Sequence, residues 1–267
     1  MNERFLSERT ALVTGSTSGI GLAIARALGA AGARVAMSGL GTPEQIDAAI
    51  ASVRNAGATD VRHFDAELRD PAAIATMMAA IDAWSPIDVL VNNAGIQRTA
   101  ALADMPSEHW DAILAINLSA AFHTMQHALP GMAARGFGRV VNIASVHGLI
   151  ASVNKAPYVA SKFGLVGLSK VAALEYAAIG TRESGGVTVN CLCPGWVDTP
   201  LIEPQVLARR GEGSREDALL SLLREKQPSL RISLPDEIAD MVLWLCRRES
   251  HNLTGTAIPI DGGWTAQ

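Results

Sequence analysis

Tyr158 and Lys162 stand four residues apart at the start of a helical pattern, and Ser145 lies just past an apolar, strand-like run that begins at Val140. Residues at i and i+4 of a helix share a face, so the phenol and the ammonium can point at one place. The hydroxyl at the strand end can join them there. The stretch 140–162 therefore reads as a catalytic core to which the rest of the chain supplies a cofactor, a carboxylate clamp and a lid.

A second group of residues surrounds this core. His147 lies two past Ser145, and Lys155 three before Tyr158. Gln97 follows an Asn92-Asn93-Ala94-Gly95 turn, Trp196 follows Pro194-Gly195, Gln205 lies further along, and Trp264 follows Asp261-Gly262-Gly263. Amides, an imidazole and an ammonium converging on one pocket suit a small carboxylate. The indoles would wall off an apolar group and exclude water.

The elements that must position these side chains alternate between strand and helix. Strands are predicted at 10–14, 34–38, 61–64, 87–91, 139–143, 187–192 and 257–260. Helices are predicted at 21–31, 43–56, 71–84, 107–134, 156–178 and 235–246, with 201–226 irregular to helical. Asp70 is a good N-cap before Pro71, and Gly57 a C-terminal stop. Strand–helix alternation implies one doubly wound, Rossmann-type α/β domain over residues 1–267, a seven-stranded parallel sheet with helices on both faces. The charged tract 209–215 marks a mobile surface segment, and 199–227 is expected to form a substrate lid.

Between the first strand and first helix lies Thr14-Gly15-Ser16-Thr17-Ser18-Gly19-Ile20-Gly21. Glycines there let backbone approach a pyrophosphate, and a helix N-terminus favours its charge. The second strand ends in Ser38-Gly39-Leu40-Gly41, with neither a carboxylate for a ribose hydroxyl nor a Lys or Arg for a 2′-phosphate. A phosphate without a positive partner is poorly served, so the reading leans to NAD. Asp65, just past the third strand, is placed to hydrogen-bond the adenine.

Composition excludes other classes. The formal charge of −4 gives no basic footprint for nucleic acid or an anionic membrane. The segment 112–134 lacks Asp, Glu, Lys and Arg but carries Asn117, His123, Gln126, His127 and Pro130, too polar to span a bilayer. It reads as a helix between sheet and subunit interface. His123 and His127 have no third ligand, so no metal is expected. Cys191, Cys193 and Cys246 read as reduced thiols, and the charged N-terminus lacks a signal-peptide apolar region, so a cytoplasmic location is expected.

Several motifs fall in register: Thr14-Gly15-x-x-x-Gly19-x-Gly21, Asn92-Asn93-Ala94-Gly95, Asn117, Ser145, Tyr158-x-x-x-Lys162 and Pro194-Gly195. Together they resemble the short-chain dehydrogenase/reductase family. The resemblance implies hydride transfer between a nicotinamide and an alcohol carbon, with Tyr158 as general acid/base. Lys162 would lower the phenol from its ordinary pKa of about 10 and hold the nicotinamide ribose. Ser145 would bond the substrate oxygen. Asn117 would open the long helix and hold a water. Gly15, Thr17, Ser18, Gly19, Ile20, Gly21, Leu40, Asn93, Gly95, Pro194 and Val197 would join Asp65, Tyr158 and Lys162 around the cofactor. The family also implies a homotetramer with two-fold symmetry.

Local strings narrow this further. Gly95-Ile96-Gln97, Ala144-Ser145-Val146-His147-Gly148, Pro194-Gly195-Trp196, 225–230 and 261–266 resemble the bacterial D-3-hydroxybutyrate dehydrogenase branch of that family. That branch implies interconversion of (R)-3-hydroxybutyrate and acetoacetate. Gln97, His147, Lys155 and Gln205 would hold the carboxylate, and Trp196 and Trp264 the methyl side. The alternatives are another reductase of the family, such as one acting on 3-oxoacyl thioesters with NADPH, a dehydrogenase of a related small hydroxy acid, or a nucleotide-binding protein that has lost its chemistry. Ser18, where such thioester reductases often carry Arg, argues against the first. The sequence departs from the branch in a longer connection at 181–186 and in Leu40, where an aromatic residue is expected.

Overall fold

The structure, a computed structural model, describes residues 4–211 and 213–266. The first three residues of the charged N-terminus, Glu212 within the expected lid, and Gln267 lie outside the described residues. In chain order the elements are β1 (Thr10–Thr14), α1 (Gly19–Ala30), β2 (Arg34–Ser38), α2 (Pro43–Ala56), β3 (Val61–His63), α3 (Pro71–Trp84), β4 (Val89–Asn92), α4 (Ser107–Leu114), α5 (Ala120–Arg135), β5 (Phe137–Ile143), α6 (Ala156–Tyr176), β6 (Gly186–Pro194), α7 (Glu203–Arg210), α8 (Arg215–Lys226), α9 (Pro235–Cys246) and β7 (Ala257–Ile260).

The strands run parallel in the order β3-β2-β1-β4-β5-β6-β7. The chain winds outward from β1 to β3, then crosses to β4 and winds to the other edge. The C-terminal ends of β1 and β4 therefore flank the point where the order reverses, and such sheets open a crevice there. Period-two alternation along each strand feeds two cores. Ala11 and Val13 join Ile24, Leu28, Ile238 and Val242 on one face. Leu12 joins Ile74, Ile81, Leu90 and Leu129 on the other.

Local chemistry sets the helix ends. Thr42 accepts from the backbone N–H of Gln45 while the Gln45 side chain accepts from Thr42 N–H, a reciprocal cap that starts α2. Asp70 caps α3 through Ala72 N–H at 2.8 Å. α5 stops at Gly136, whose φ of 66° is a left-handed conformation. The expected single helix over 107–134 is instead two helices joined by one π turn, Ala115–Ser119. The side chain of Asn117 is drawn out of that turn to the backbone of Ile96, and the wide turn accommodates it. The expected irregular stretch 201–226 resolves into α7 and α8, the latter opened by a reciprocal Ser214–Asp217 cap. No helix among the described residues is long and apolar enough to cross a membrane.

The longer connection at 181–186 sits at the opposite end of the sheet from the crevice. Ser184 Oγ donates to Gly136 O at 2.8 Å, and Arg248 Nε reaches Arg182 O at 3.2 Å. The fully buried Arg139 fastens the connection from beneath, donating to the carbonyls of Gly186 and Gly185 at 2.9 and 3.1 Å.

A buried polar network ties the layers together near the crevice. Thr124 Oγ1 donates to Asn92 Oδ1 at 2.6 Å, Asn92 Nδ2 to Asn142 Oδ1 at 2.8 Å, and Asn142 Nδ2 to Ser169 Oγ at 2.7 Å. The network links α5, β4, β5 and α6. Removing Asn142 leaves the buried Asn92 Nδ2 without its partner, at about 1–3 kcal/mol, while Ser169 Oγ keeps its bond to Leu165 O. Asn142→Ala should therefore lower the free energy of unfolding by about 1–3 kcal/mol, read as a lower urea midpoint at unchanged slope. A loss well below that range would show that the network does not bear on stability.

Candidate active site

The crevice between the ends of β1 and β4 opens into a cavity of about 540 Å³. Of the residues singled out from sequence, Gly15, Thr17, Ser18, Gly19, Ile20, Leu40, Asn93, Gly95, Gln97, Ser145, His147, Lys155, Tyr158, Lys162, Pro194, Trp196, Val197, Gln205 and Trp264 all line it. Gly21, Asp65 and Asn117 do not. Gly21 and Asn117 stand directly behind the wall, whereas Asp65 is exposed and its successors Ala66, Glu67 and Leu68 face the cavity instead.

The glycine loop is built for close backbone approach. A Cβ on Gly21 would overlap the carbonyl of Gly15, and one on Gly15 would lie 2.9 Å from Ala94 Cα. Asn93 locks the arrangement, donating from Nδ2 to the carbonyls of Thr14 and Gly15 at 3.0 and 3.1 Å. Ser18, at the N-cap of α1, makes no side-chain capping bond, and the first turn carries no acidic residue. Its backbone N–H groups are thus left for an anion, which suits the pyrophosphate of a dinucleotide. The loop and helix end fit that group.

At the far end of the cavity, Thr17 Oγ1 donates to Leu40 O at 2.7 Å, and the Leu40 side chain is 86% exposed, leaving an apolar lip. The carboxylate of Glu67 is held by the Arg69 guanidinium at 2.7 Å, which keeps it down at about 2. The basic residues lining the cavity, Lys155 and Lys162, belong to its other end.

At that other end the chemistry converges. Lys162 rises from α6, is buried, and donates from Nζ to the carbonyl of Ile143 at 2.8 Å. Tyr158 lies one turn earlier, and the hydroxyl of Ser145 just past β5 acts on its phenol. Burial pushes the phenol above its ordinary value and the Ser145 hydroxyl pulls against it. The same burial lowers Lys162 to about 8. The expected lowering of Tyr158 by Lys162 is not what governs here: in a dry pocket desolvation penalises both charges, and Nζ lies 5.7 Å from the phenol ring centre. Asn117 fixes the adjoining loop, accepting from Ile96 N–H at 2.8 Å and donating to Ile96 O at 3.0 Å and to Ser161 Oγ at 3.3 Å.

The second group assembles beside the phenol. Lys155 Nζ lies 3.4 Å from His147 Nε2, and His147 Nδ1 lies 3.4 Å from Ile150 O. That pairing makes Nδ1 the donor and Nε2 an acceptor. Burial first, and the neighbouring Lys155 ammonium second, hold His147 down at about 4. Burial and the charge of Arg209 bring Lys155 to about 8. With the Gln205 amide oriented to satisfy its neighbours, its nitrogen donates to Ile202 O at 2.8 Å and its oxygen accepts from Gln97 Nε2 at 2.6 Å. The rings of Trp196 and Trp264 lie 5.6 Å apart, Trp264 meets His147 edge-on, and Lys155 Nζ sits 5.1 Å over Trp196. Two amides, a half-buried ammonium and two indoles thus surround a space next to Tyr158 and Ser145, a setting for a small carboxylate bearing an oxygen to be deprotonated.

Sequence reasoning placed the supports of this site within motif strings but gave them no role. Thr14 Oγ1 accepts from the N–H groups of Asn93 and Ala94 at 3.0 and 3.1 Å. Gln227, buried just past α8, accepts from Trp196 N–H at 3.2 Å and donates to the Arg231 carbonyl. Asp261 caps the turn that presents Trp264, through Gly263 N–H and Thr265. Thr14 and Gln227 bridge segments far apart in sequence, whereas Asp261 acts within four residues of itself. The one local sign, a polar residue beside a turn or helix end, is too common to single them out. Among the described residues no group of three His, Cys, Asp or Glu is placed to hold a metal.

A family model described as short chain dehydrogenase matches residues 9–209. The chain is 44% identical to a D-beta-hydroxybutyrate dehydrogenase of Rhizobium meliloti, over 97% of this chain and 99% of that protein. It is 48% identical to one of Cupriavidus necator, over 98% of this chain and 100% of that protein. Among solved structures, a 3-oxoacyl (acyl-carrier-protein) reductase of Agrobacterium tumefaciens with NADP bound superposes at a TM-score of 0.85, with 31% identity, covering 97% of this chain and 95% of that one.

The lowered Lys155 makes a pH prediction. The ammonium is present below about 8 and lost above it. Competitive inhibition by a small carboxylate such as acetate should therefore weaken as pH rises through that value. Inhibition that stays constant from pH 7 to 9.5 would show that Lys155 does not face the carboxylate.

Proposed function

The chain belongs to the short-chain dehydrogenase family, and from that premise we propose that it interconverts (R)-3-hydroxybutyrate and acetoacetate, using NAD. The observation that carries the substrate is the Gln97–Gln205 and Lys155–His147 cluster set against Tyr158. Both curated relatives described above bear that activity in their names. A nicotinamide cofactor follows from the family and from the fit of the glycine loop. The choice of NAD is supported by the uncharged lip of Thr17, Gly39 and Leu40, where a 2′-phosphate would find no cation.

In this reading the substrate hydroxyl lies between Ser145 and Tyr158. The phenol oxygen takes the hydroxyl proton in the oxidative direction and returns it in the reductive one. Ser145 donates to the substrate oxygen and stabilises charge that develops there. The cofactor supplies acceptance or return of the hydride at the carbinol carbon. Lys162 holds the ribose side and offsets the phenolate charge. Asn117 holds the turn that places Lys162. Gln97, Lys155 and Gln205 take the carboxylate; His147, expected among its ligands, spends its donor on Ile150 O and its acceptor on Lys155, and so holds that ammonium in place. Trp196 and Trp264 enclose the methyl group and exclude water. The chain works as one domain, with 199–227 closing over substrate. The outer faces of α5 and α6, which expose Phe122, Phe163, Val171 and Leu174, pair the chain into a homotetramer. The three buried free thiols suit a reducing cytoplasm.

Tyr158→Phe should abolish turnover, by about a thousandfold or more, while NADH still binds as followed by its fluorescence. Near-normal turnover would sink the mechanism. A panel comparing NAD with NADP, and acetoacetate with its methyl ester, tests the substrate. The acid with NAD should be strongly preferred; a better ester, or NADP preference, would favour a thioester-type reductase.

A further inference from the structure

Gln205 is the only member of the proposed carboxylate cluster that comes from α7, and α7 is lightly anchored. Its inner face contributes Val206, which packs with Ile202 and Ala218 under Trp196, while Leu207 is exposed. Two arginines complete the attachment. Arg215, at the start of α8, reaches Asp198 at 2.6 Å and Glu203 at 3.1 Å, ahead of and at the start of α7. Arg209, in the last turn of α7, forms a two-pronged pair with Glu225 in the last turn of α8. Nε lies 3.2 Å from Oε1 and Nη2 3.0 Å from Oε2.

The third prong of Arg209 turns inward. Nη1 donates to the backbone carbonyl of Gln205 at 3.4 Å. Arg209 is four residues beyond Gln205 and so on the same helix face. One guanidinium thus joins three things: the end of α8, the end of α7, and the backbone of the residue whose amide meets Gln97 in the cavity.

The pair is a poor stabiliser. The side chains of Arg209 and Glu225 are 32% and 49% exposed, and exposed ion pairs contribute little to folding. Its geometry has a different consequence. We propose that Arg209 and Glu225 form a latch that holds α7 shut and thereby positions Gln205 over the substrate carboxylate, making the pair a determinant of affinity for acid substrates. The inference rests on the carboxylate reading of the cluster, and its test separates the two. Neither residue touches substrate; both are positioning residues.

The latch is tested by steady-state kinetics of Arg209→Gln, Glu225→Gln, the double variant and Arg209→Lys, with NAD saturating. Each single variant should raise KM for 3-hydroxybutyrate by about fivefold, with kcat, KM for NAD and Tm close to wild type. The double variant should be no worse than the worse single, because the same contact is lost only once. Arg209→Lys should resemble Arg209→Gln, since an ammonium keeps the charge but not the fork. Unchanged KM in the single variants, or additive effects, would overturn the latch. So would a raised KM in Arg209→Gln with a lowered one in Glu225→Gln, which would mean that Arg209 acts as a bare charge. A second arm needs no substrate. Trypsin should cut Glu225→Gln after Arg209 or Arg210 several times faster than wild type, and an equal rate would overturn the latch. Wild-type enzyme that fails to oxidise 3-hydroxybutyrate overturns the substrate reading alone, and the proteolysis arm still decides the latch.

Discussion

The site depends on one amide. Beyond Asn92 the chain leaves the ladder of the sheet, and the backbone of Ile96 has no strand beside it. The Asn117 side chain supplies both missing partners, an acceptor for the N–H and a donor for the carbonyl, and it is buried where it does so. A buried peptide left unpaired would cost as much as the contact gains. The same amide reaches Ser161, the residue before Lys162, so the loop carrying Gln97 and the helix carrying the phenol are registered against one another. The π turn is the backbone cost of that registration.

Burial then sets the electrostatic character of the pocket. The phenol, the two ammonium groups and the imidazole are all shifted toward their neutral forms. His147 is held neutral well below physiological pH, so it offers an acceptor to Lys155 and never competes with it as a cation. Lys155 near 8 is half-committed to its charge, and an incoming anion restores what the dry environment takes away. The pocket waits for a charge to complete it, which is a form of selectivity that contact geometry alone does not supply.

Much of this was legible in the sequence, and for physical reasons. Strand and helix patterns with periods of 2 and 3.6 placed the elements, and the doubly wound order followed from their alternation. Tyr158, Lys162 and Ser145 were readable because their spacing is local to one strand–loop–helix unit. The opening of the long helix at Asn117 was legible only through the family resemblance, because its sequence continues the apolar helical pattern on both sides and a distant loop draws the side chain out. Residues 201–226 read only as irregular to helical because their charges face each other across two helices rather than along one, as Arg209 does with Glu225. Asp65 was placed by analogy with strand-end carboxylates, but β3 ends two residues before it and the next three side chains turn into the cavity in its stead.

The long connection at 181–186 has a meaning of its own. Its ties run to Gly136, Arg139 and Arg248 at the foot of the sheet, while the groups that line the cavity sit at the opposite end of the same strands. A rigid parallel sheet separates the two by the full length of β6. The foot is therefore free to drift: extra residues, an epitope or a grafted peptide at Arg182–Glu183 meet only solvent and a few surface bonds. A change at that seam leaves the lining of the cavity untouched.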